Sequence, residues 1–124
     1  MAMAISQIPA SLCDLRRLLR RREMTCREVV AGFLQRIEQH NERLNAFIHL
    51  DAEKVMAEAQ RADERLASGG TGSLLGVPVA IKDNLNVRGD PCTCASRILS
   101  GYVAPYDATA VARLRKAGAV FLGR

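Results

Sequence analysis

An α/β fold is expected for this chain because helix-like and strand-like segments alternate along it. Two short runs, residues 77–81 and 119–122, have the length of strands and are almost wholly apolar, as in strands covered on both faces. The segments around them carry apolar residues at helical spacing. Of the 124 residues, 48% are hydrophobic and 25% are charged, which is typical of a globular protein. No apolar run reaches the length of a membrane span.

Three helices are predicted in the first half of the chain, each with a capping residue before it. Ser11 precedes the first helix, and Thr25 with Glu28 forms a capping box at the second. Asp51 is expected to cap the third. Their buried faces are predicted to contain Leu12, Leu15, Leu18 and Leu19, then Val30, Phe33, Leu34 and Ile37, then Val55, Met56, Ala59, Ala62 and Leu66.

The remaining segments predict one further strand, two loops and a last helix. Residues 44–50 (LNAFIHL) are apolar and bounded by turns, so they are predicted as a strand. Residues 68–73 are predicted as a flexible glycine-rich connector, and residues 82–106 as a long ordered loop with recurring Gly, Pro and Asn. Asp107 is expected to cap the last helix and Gly118 to end it.

Charge and aromatic content narrow the range of partners. Lys and Arg total 18 against 13 Asp and Glu, for a net charge of +5. Arginines concentrate between Arg16 and Arg43 among acidic residues, which is typical of a solvated helix face; a patch for RNA or an acidic partner is the alternative. Aromatic residues make up only 4%, too few to predict a stacking surface for single-stranded nucleic acid. The start of the chain lacks a secretory signal, so a cytoplasmic location is predicted.

The four cysteines are predicted to be free thiols. Cys92 and Cys94 form a C-x-C motif without a second pair at zinc-ligand spacing, and His40 and His49 are isolated. The glycine-rich connector does not match a dinucleotide-binding motif, because it precedes a strand and Leu75 stands where a third glycine is required. No metal or cofactor site is therefore predicted within the chain.

Lys82 is the main candidate for a chemical role. It follows the apolar run 77–81, at the strand end where α/β proteins bind ligands. Partial burial there would favour the neutral amine that a general base needs, whereas the alternative is an ammonium that reaches solvent and pairs with Asp83. Asp83 and Asn84 are predicted either to orient Lys82 through hydrogen bonds or only to begin the loop. The hydroxyls of Thr93 and Ser96 are expected to stabilise that loop.

Several segments together resemble the amidase signature family. The most specific is residues 75–85 (LGVPVAIKDNL), which is similar to the lysine-bearing segment of that family. The other matches look like the A subunits of glutamyl-tRNA(Gln)/aspartyl-tRNA(Asn) amidotransferases rather than general amidases. These matches are LNAFI at 44–48, TCASRIL at 93–99, PYDAT at 105–109 and RKAGAV at 115–120.

The resemblance implies a fold and a reaction. Residues 11–124 would form the amino-terminal portion of an amidase-signature domain, a mixed sheet core flanked by helices, after a flexible terminus at residues 1–10. Lys82 would be the base that takes a proton, through a bridging serine with a cis peptide bond, from a serine nucleophile. That serine would attack the carboxamide of glutamine and release ammonia. A partner subunit, which is expected to use ATP and Mg, would then amidate phosphorylated Glu or Asp on misacylated tRNA.

The resemblance also places both serines in a Gly/Ser-rich segment beyond Arg124. The chain is therefore expected to be truncated before its nucleophile and inactive on glutamine by itself. The implied partners are glutamine, subunits B and C of the amidotransferase and, through the complex, misacylated tRNA. Two alternatives stay open: a portion of a general carboxylic amidase, and a non-catalytic binding module that uses its basic helices.

Overall fold

Three helices precede a pair of parallel strands that are joined by a long loop and a fourth helix. The computed structural model describes residues 8–124, so residues 1–7 of the predicted flexible terminus lie outside the described residues. Strand β1 pairs with β2 in parallel, Pro78 with Val120 and Val79 with Phe121, which confirms the α/β class. The elements are α1 (Leu12–Arg21), α2 (Cys26–Leu44), α3 (Ala52–Ala67), β1 (Pro78–Ala80), a 3₁₀ turn (Arg97–Leu99), α4 (Thr109–Ala117) and β2 (Val120–Gly123).

The alternation of side chains along β2 divides the core into two clusters. Val120 and Leu122 face the cluster built from α1, α2 and α3, whereas Phe121 faces a smaller cluster beneath the long loop. The first cluster contains Leu15, Leu19, Val29, Val30, Val55, Ala59, Ala62 and Val77, with Leu18, Phe33, Leu34, Ile37, Met56 and Leu66 partly buried against it. The second contains Ile81, Val87 and Val111. These helix faces are as predicted except at Leu12, which is half exposed.

The predicted caps of the first three helices are confirmed. The Ser11 side chain accepts the Asp14 N–H at 3.4 Å, and the Asp51 carboxylate accepts the Lys54 N–H at 3.0 Å. At the second helix the capping box is complete in both directions, because Glu28 accepts the N–H of Thr25 and the Thr25 hydroxyl accepts the N–H of Glu28. No helix among the described residues combines the length and apolar character that a membrane span requires.

The strand predicted at residues 44–50 is wrong. Helix α2 continues to Leu44 and ends at Asn45, whose φ of 48° is left-handed. The side-chain amide of Asn41 then forms two hydrogen bonds with the backbone of Phe47. It donates to the Phe47 carbonyl and accepts the Phe47 N–H, each at 2.8 Å. At Phe47, the backbone hydrogen bonds that a strand ladder would require therefore go to a local side chain, and within the described residues only Ile48 and His49 pair with another backbone segment, at Arg124.

Asp107 does not cap the last helix, which begins instead after Ala108 without a side-chain cap. The Asp107 carboxylate accepts the backbone N–H of Arg88 and the guanidinium of Arg115, both at 2.8 Å, so tertiary partners occupy it. The prediction for the other end of the helix is confirmed. Gly118 ends α4 with φ +92°, a left-handed conformation that favours glycine. A Cβ at this position would also lie only 2.8 Å from Leu75 Cα, so a larger residue would clash.

A carboxylate from α3 supplements the capping box of α2. Asp63 accepts the backbone N–H groups of Cys26 at 2.7 Å and Arg27 at 3.1 Å, the first two helical residues. It satisfies donors that have no partner inside the helix and ties the two helices together.

Replacing Asp63 tests this contact between helices. Asp63→Ala should lower the free energy of unfolding by about 1–2 kcal/mol, because two helix-terminal N–H groups lose a charged acceptor. Urea unfolding of the chain measures the change. Glu64→Ala is the control, because Glu64 is exposed on the same helix and its carboxylate hydrogen-bonds the Gln60 side chain one turn earlier. Equal effects of the two substitutions would contradict the proposed cap.

Candidate active-site lysine and its loop

Lys82 lies at the carboxyl edge of the parallel strand pair, where the sequence predicts it. The preceding residue, Ile81, is buried and donates its N–H to the carbonyl of Gly123 at the end of β2 at 2.9 Å. The expected partial burial of the Lys82 side chain is not found, because this residue is exposed. The chain turns directly after it, with the N–H of Leu85 donating to the Lys82 carbonyl at 3.1 Å, and the side chain stands on the outside of that turn.

Asp83 is the polar centre of the loop. Its carboxylate accepts the Thr93 hydroxyl at 2.6 Å and the Thr93 backbone N–H at 3.2 Å, with the Ala95 N–H at 3.4 Å. Its carbonyl accepts the backbone N–H of Cys94 at 2.9 Å. One residue thus holds the segment that follows Lys82 against the turn at residues 92–95.

Arg124 is a buried cation next to this centre, with only 1% of its side chain exposed. Its Nη1 lies 3.5 Å from Asp83 Oδ1 and donates to the carbonyl of Leu85 at 3.1 Å. Its Nη2 lies 3.8 Å from Asp90 Oδ2, and the Asp90 carboxylate also pairs with Lys54 of α3. Because a buried arginine is tolerated only when it is paired, these groups determine where its side chain can lie.

The contacts of Asp83 set its protonation state. Burial acts to raise its pKa, but the hydrogen bonds from Thr93 and Ala95 and the nearby Arg124 guanidinium together outweigh that effect and hold the pKa of Asp83 below its ordinary value of 3.8. The carboxylate is therefore ionised at neutral pH, and its charge balances that of the Arg124 guanidinium.

The predicted orienting residues do not contact the lysine ammonium through their side chains. The Asp83 carboxylate is occupied by Thr93 and Arg124, and Asn84 is exposed. Within residues 8–124, no ion pair joins Lys82 to Asp83. An influence of Asp83 on Lys82 therefore passes through the backbone that joins them. Sequence reasoning missed Arg124; the available signal was a charged residue that directly follows a fully apolar strand.

Other potentially reactive groups, in this loop and at the start of α2, have structural roles or are buried. The Ser96 hydroxyl accepts the N–H of Ile98 at 3.3 Å, while burial raises the pKa of the Cys92 thiol. Burial and the Asp63 charge raise the pKa of Cys26 to about 12, so this thiol is protonated at neutral pH. The part of the chain that the structure describes contains no group of three or more His, Cys, Asp or Glu side chains placed to hold a metal ion.

Comparison with known proteins defines the class. A model of the amidase family matches residues 28–124, more than half of the chain, and the chain therefore belongs to that family. The fold agrees, because the peptide amidase from Stenotrophomonas maltophilia superimposes with a TM-score of 0.86 at 34% sequence identity. The match covers 93% of this chain and 24% of the peptide amidase.

Closer similarity is found among amidotransferase subunits. The A subunit of glutamyl-tRNA(Gln) amidotransferase from Methylacidiphilum infernorum (isolate V4) is 49% identical over 114 residues, 92% of this chain and 22% of that protein. The protein with the same name from Synechococcus elongatus is 46% identical over 116 residues, 93% of this chain and 24% of that protein. The chain thus spans about a quarter of the length of these relatives.

The lowered pKa of Asp83 predicts a specific response to acid. An ionised Asp83 stabilises the fold at pH values above 3.8, and this contribution is lost as the pH falls through the folded-state pKa. Asp83→Asn should lower the free energy of unfolding by about 2–3 kcal/mol at pH 7, because the buried Arg124 loses the nearer of its two carboxylate partners. The same substitution should make that free energy less dependent on pH below about pH 4.

Urea unfolding from pH 7 to pH 3 measures both effects. Asp14→Asn serves as the control, because Asp14 is an exposed acid paired with Arg17 on α1 and such surface pairs contribute little. An Asp83→Asn variant with the stability and acid response of the parent chain would show that the Asp83 network does not stabilise the fold.

Proposed function

We propose that this chain supplies the general base, Lys82, of the glutamine-hydrolysing A subunit of a tRNA-dependent amidotransferase. The observation that carries the proposal is the 49% identity to the A subunit of a glutamyl-tRNA(Gln) amidotransferase across nearly the whole chain. This exceeds the 34% identity to the structurally similar peptide amidase. The position of Lys82 at the carboxyl edge of the parallel strands independently supports a catalytic role for this residue, since ligands of α/β folds bind at that edge.

In the proposed reaction Lys82 acts as a proton carrier. Its amine accepts the proton of a serine nucleophile through a bridging serine, both supplied by the remainder of the enzyme. The nucleophile attacks the carboxamide carbon of glutamine, the C–N bond breaks, and the relayed proton leaves with ammonia. Water then attacks the acyl-enzyme, which releases glutamate and restores the serine. The exposure of Lys82 leaves its amine accessible to residues outside this segment.

The remaining roles belong to the assembled enzyme. Subunits B and C are the proposed partners, and the B subunit would use ATP and Mg to activate Glu or Asp on misacylated tRNA for amidation. The proposed location is the cytoplasm. The domain assignment proposed here is that residues 11–124 form the lysine-bearing portion of an amidase-signature domain.

A chimeric protein tests the role of Lys82. This chain replaces the aligned 114 residues of the Methylacidiphilum infernorum relative, which is co-produced with the other amidotransferase subunits of that organism. Lys82→Ala should lower the kcat of ammonia release from glutamine by about 10²–10⁴-fold, the usual contribution of a general base. Co-purification of the subunits should be unchanged.

Lys116→Ala is the matched control, because it removes an exposed lysine from α4 and changes the net charge equally. Residual activity above a tenth of the parent chimera in the Lys82→Ala protein would remove Lys82 from the base role.

A further inference from the structure

The end of β2 holds the backbone on both sides of Lys82. Before the lysine, the N–H of Ile81 donates to the carbonyl of Gly123 at 2.9 Å. After it, the Asp83 carboxylate lies 3.5 Å from Nη1 of Arg124. Two successive residues of one strand end therefore contact the two neighbours of the lysine.

Arg124 makes a second contact with the same turn. Its Nη1 donates to the Leu85 carbonyl at 3.1 Å, while the Leu85 N–H donates to the Lys82 carbonyl at 3.1 Å. The guanidinium thus contacts both Asp83 and Leu85, the second and fourth residues of the turn 82–85. A change in the position of Arg124 shifts the peptide that carries the lysine side chain.

Arg124 is itself rigidly held. Its N–H and carbonyl pair with the carbonyl and N–H of His49, at 3.0 Å and 3.1 Å. Its side chain is enclosed: Nη2 lies 3.8 Å from Asp90 Oδ2 without a hydrogen bond, and Lys54 of α3 contacts Asp90 in turn. The cation therefore connects the lysine turn to the helical part of the fold.

From these contacts we infer that Arg124 is a positioning residue for Lys82, acting through Asp83 and Leu85 without contacting the lysine ammonium or the substrate. The inference rests on the proposed function of Lys82 as the base. Because proton transfer requires hydrogen-bond distance, a displacement of about 1 Å at a catalytic group lowers the rate by up to about 100-fold. Because Arg124 does not contact the substrate, the affinity for glutamine should change much less than the rate of proton transfer.

Three substitutions of arginine in the chimeric amidotransferase test the inference. Arg124→Met removes the charge and keeps the bulk; it should lower kcat for glutamine hydrolysis about 10- to 100-fold and leave KM within about twofold. Arg124→Lys keeps a cation for Asp83 and Asp90 and should recover most of the lost kcat. Arg113→Met, at an exposed position of α4, should match the parent. An unchanged kcat in Arg124→Met, or no recovery in Arg124→Lys, would overturn the inference.

Hydrogen exchange of the same proteins separates the inference from the proposed function. In Arg124→Met, the amides of Thr93, Cys94 and Ala95, which donate to Asp83, should exchange at least about 10-fold faster, while those of α2 keep their protection. Unchanged protection at these amides contradicts the inference whether or not the chimera is active. A parent chimera without glutaminase activity, beside an active unmodified Methylacidiphilum infernorum enzyme, contradicts the proposed function alone.

Discussion

The buried contact between Arg124 and Asp83 is the interaction on which the geometry around Lys82 depends. An arginine with 1% of its side chain exposed has lost its hydration, and the surrounding acceptors must compensate for it. Asp83 provides the opposite charge, and the Leu85 carbonyl provides a hydrogen bond. The same carboxylate orders the turn at Thr93, so one charge pair joins a strand end, the lysine turn and the distal loop.

Packing explains why this charge pair lies at the carboxyl edge of the sheet. Val120 and Leu122 are buried against the helices while Phe121 is buried beneath the loop, so both faces of β2 are covered. A strand covered on both faces leaves only its end for polar groups. The parallel arrangement brings the end of β1 to the same edge, where Lys82 directly precedes Asp83, the partner of the cation. The apolar sequence of β2 therefore accounts for the location of this charge pair.

Local sequence patterns predicted the helices well. What they missed are side chains whose hydrogen-bond partners are distant in sequence and come close only in the folded chain. The capping box of Thr25 and Glu28 forms as predicted because both partners belong to one turn. Asp107 has the same cap signature, but Arg115 lies within reach in the folded chain and occupies its carboxylate. The burial of Arg124 likewise depends on acids that come close only after folding. Periodicity and capping patterns contain no information about such pairs.

A double-mutant cycle on the free energy of unfolding tests this dependence most directly. It compares Asp83→Asn, Arg124→Met and the combination of both in urea unfolding at pH 7. The account predicts that the second substitution costs much less once the first is present, with a coupling energy of about 1–3 kcal/mol. Effects that add to within about 0.5 kcal/mol would show that the two residues act independently and would contradict the account.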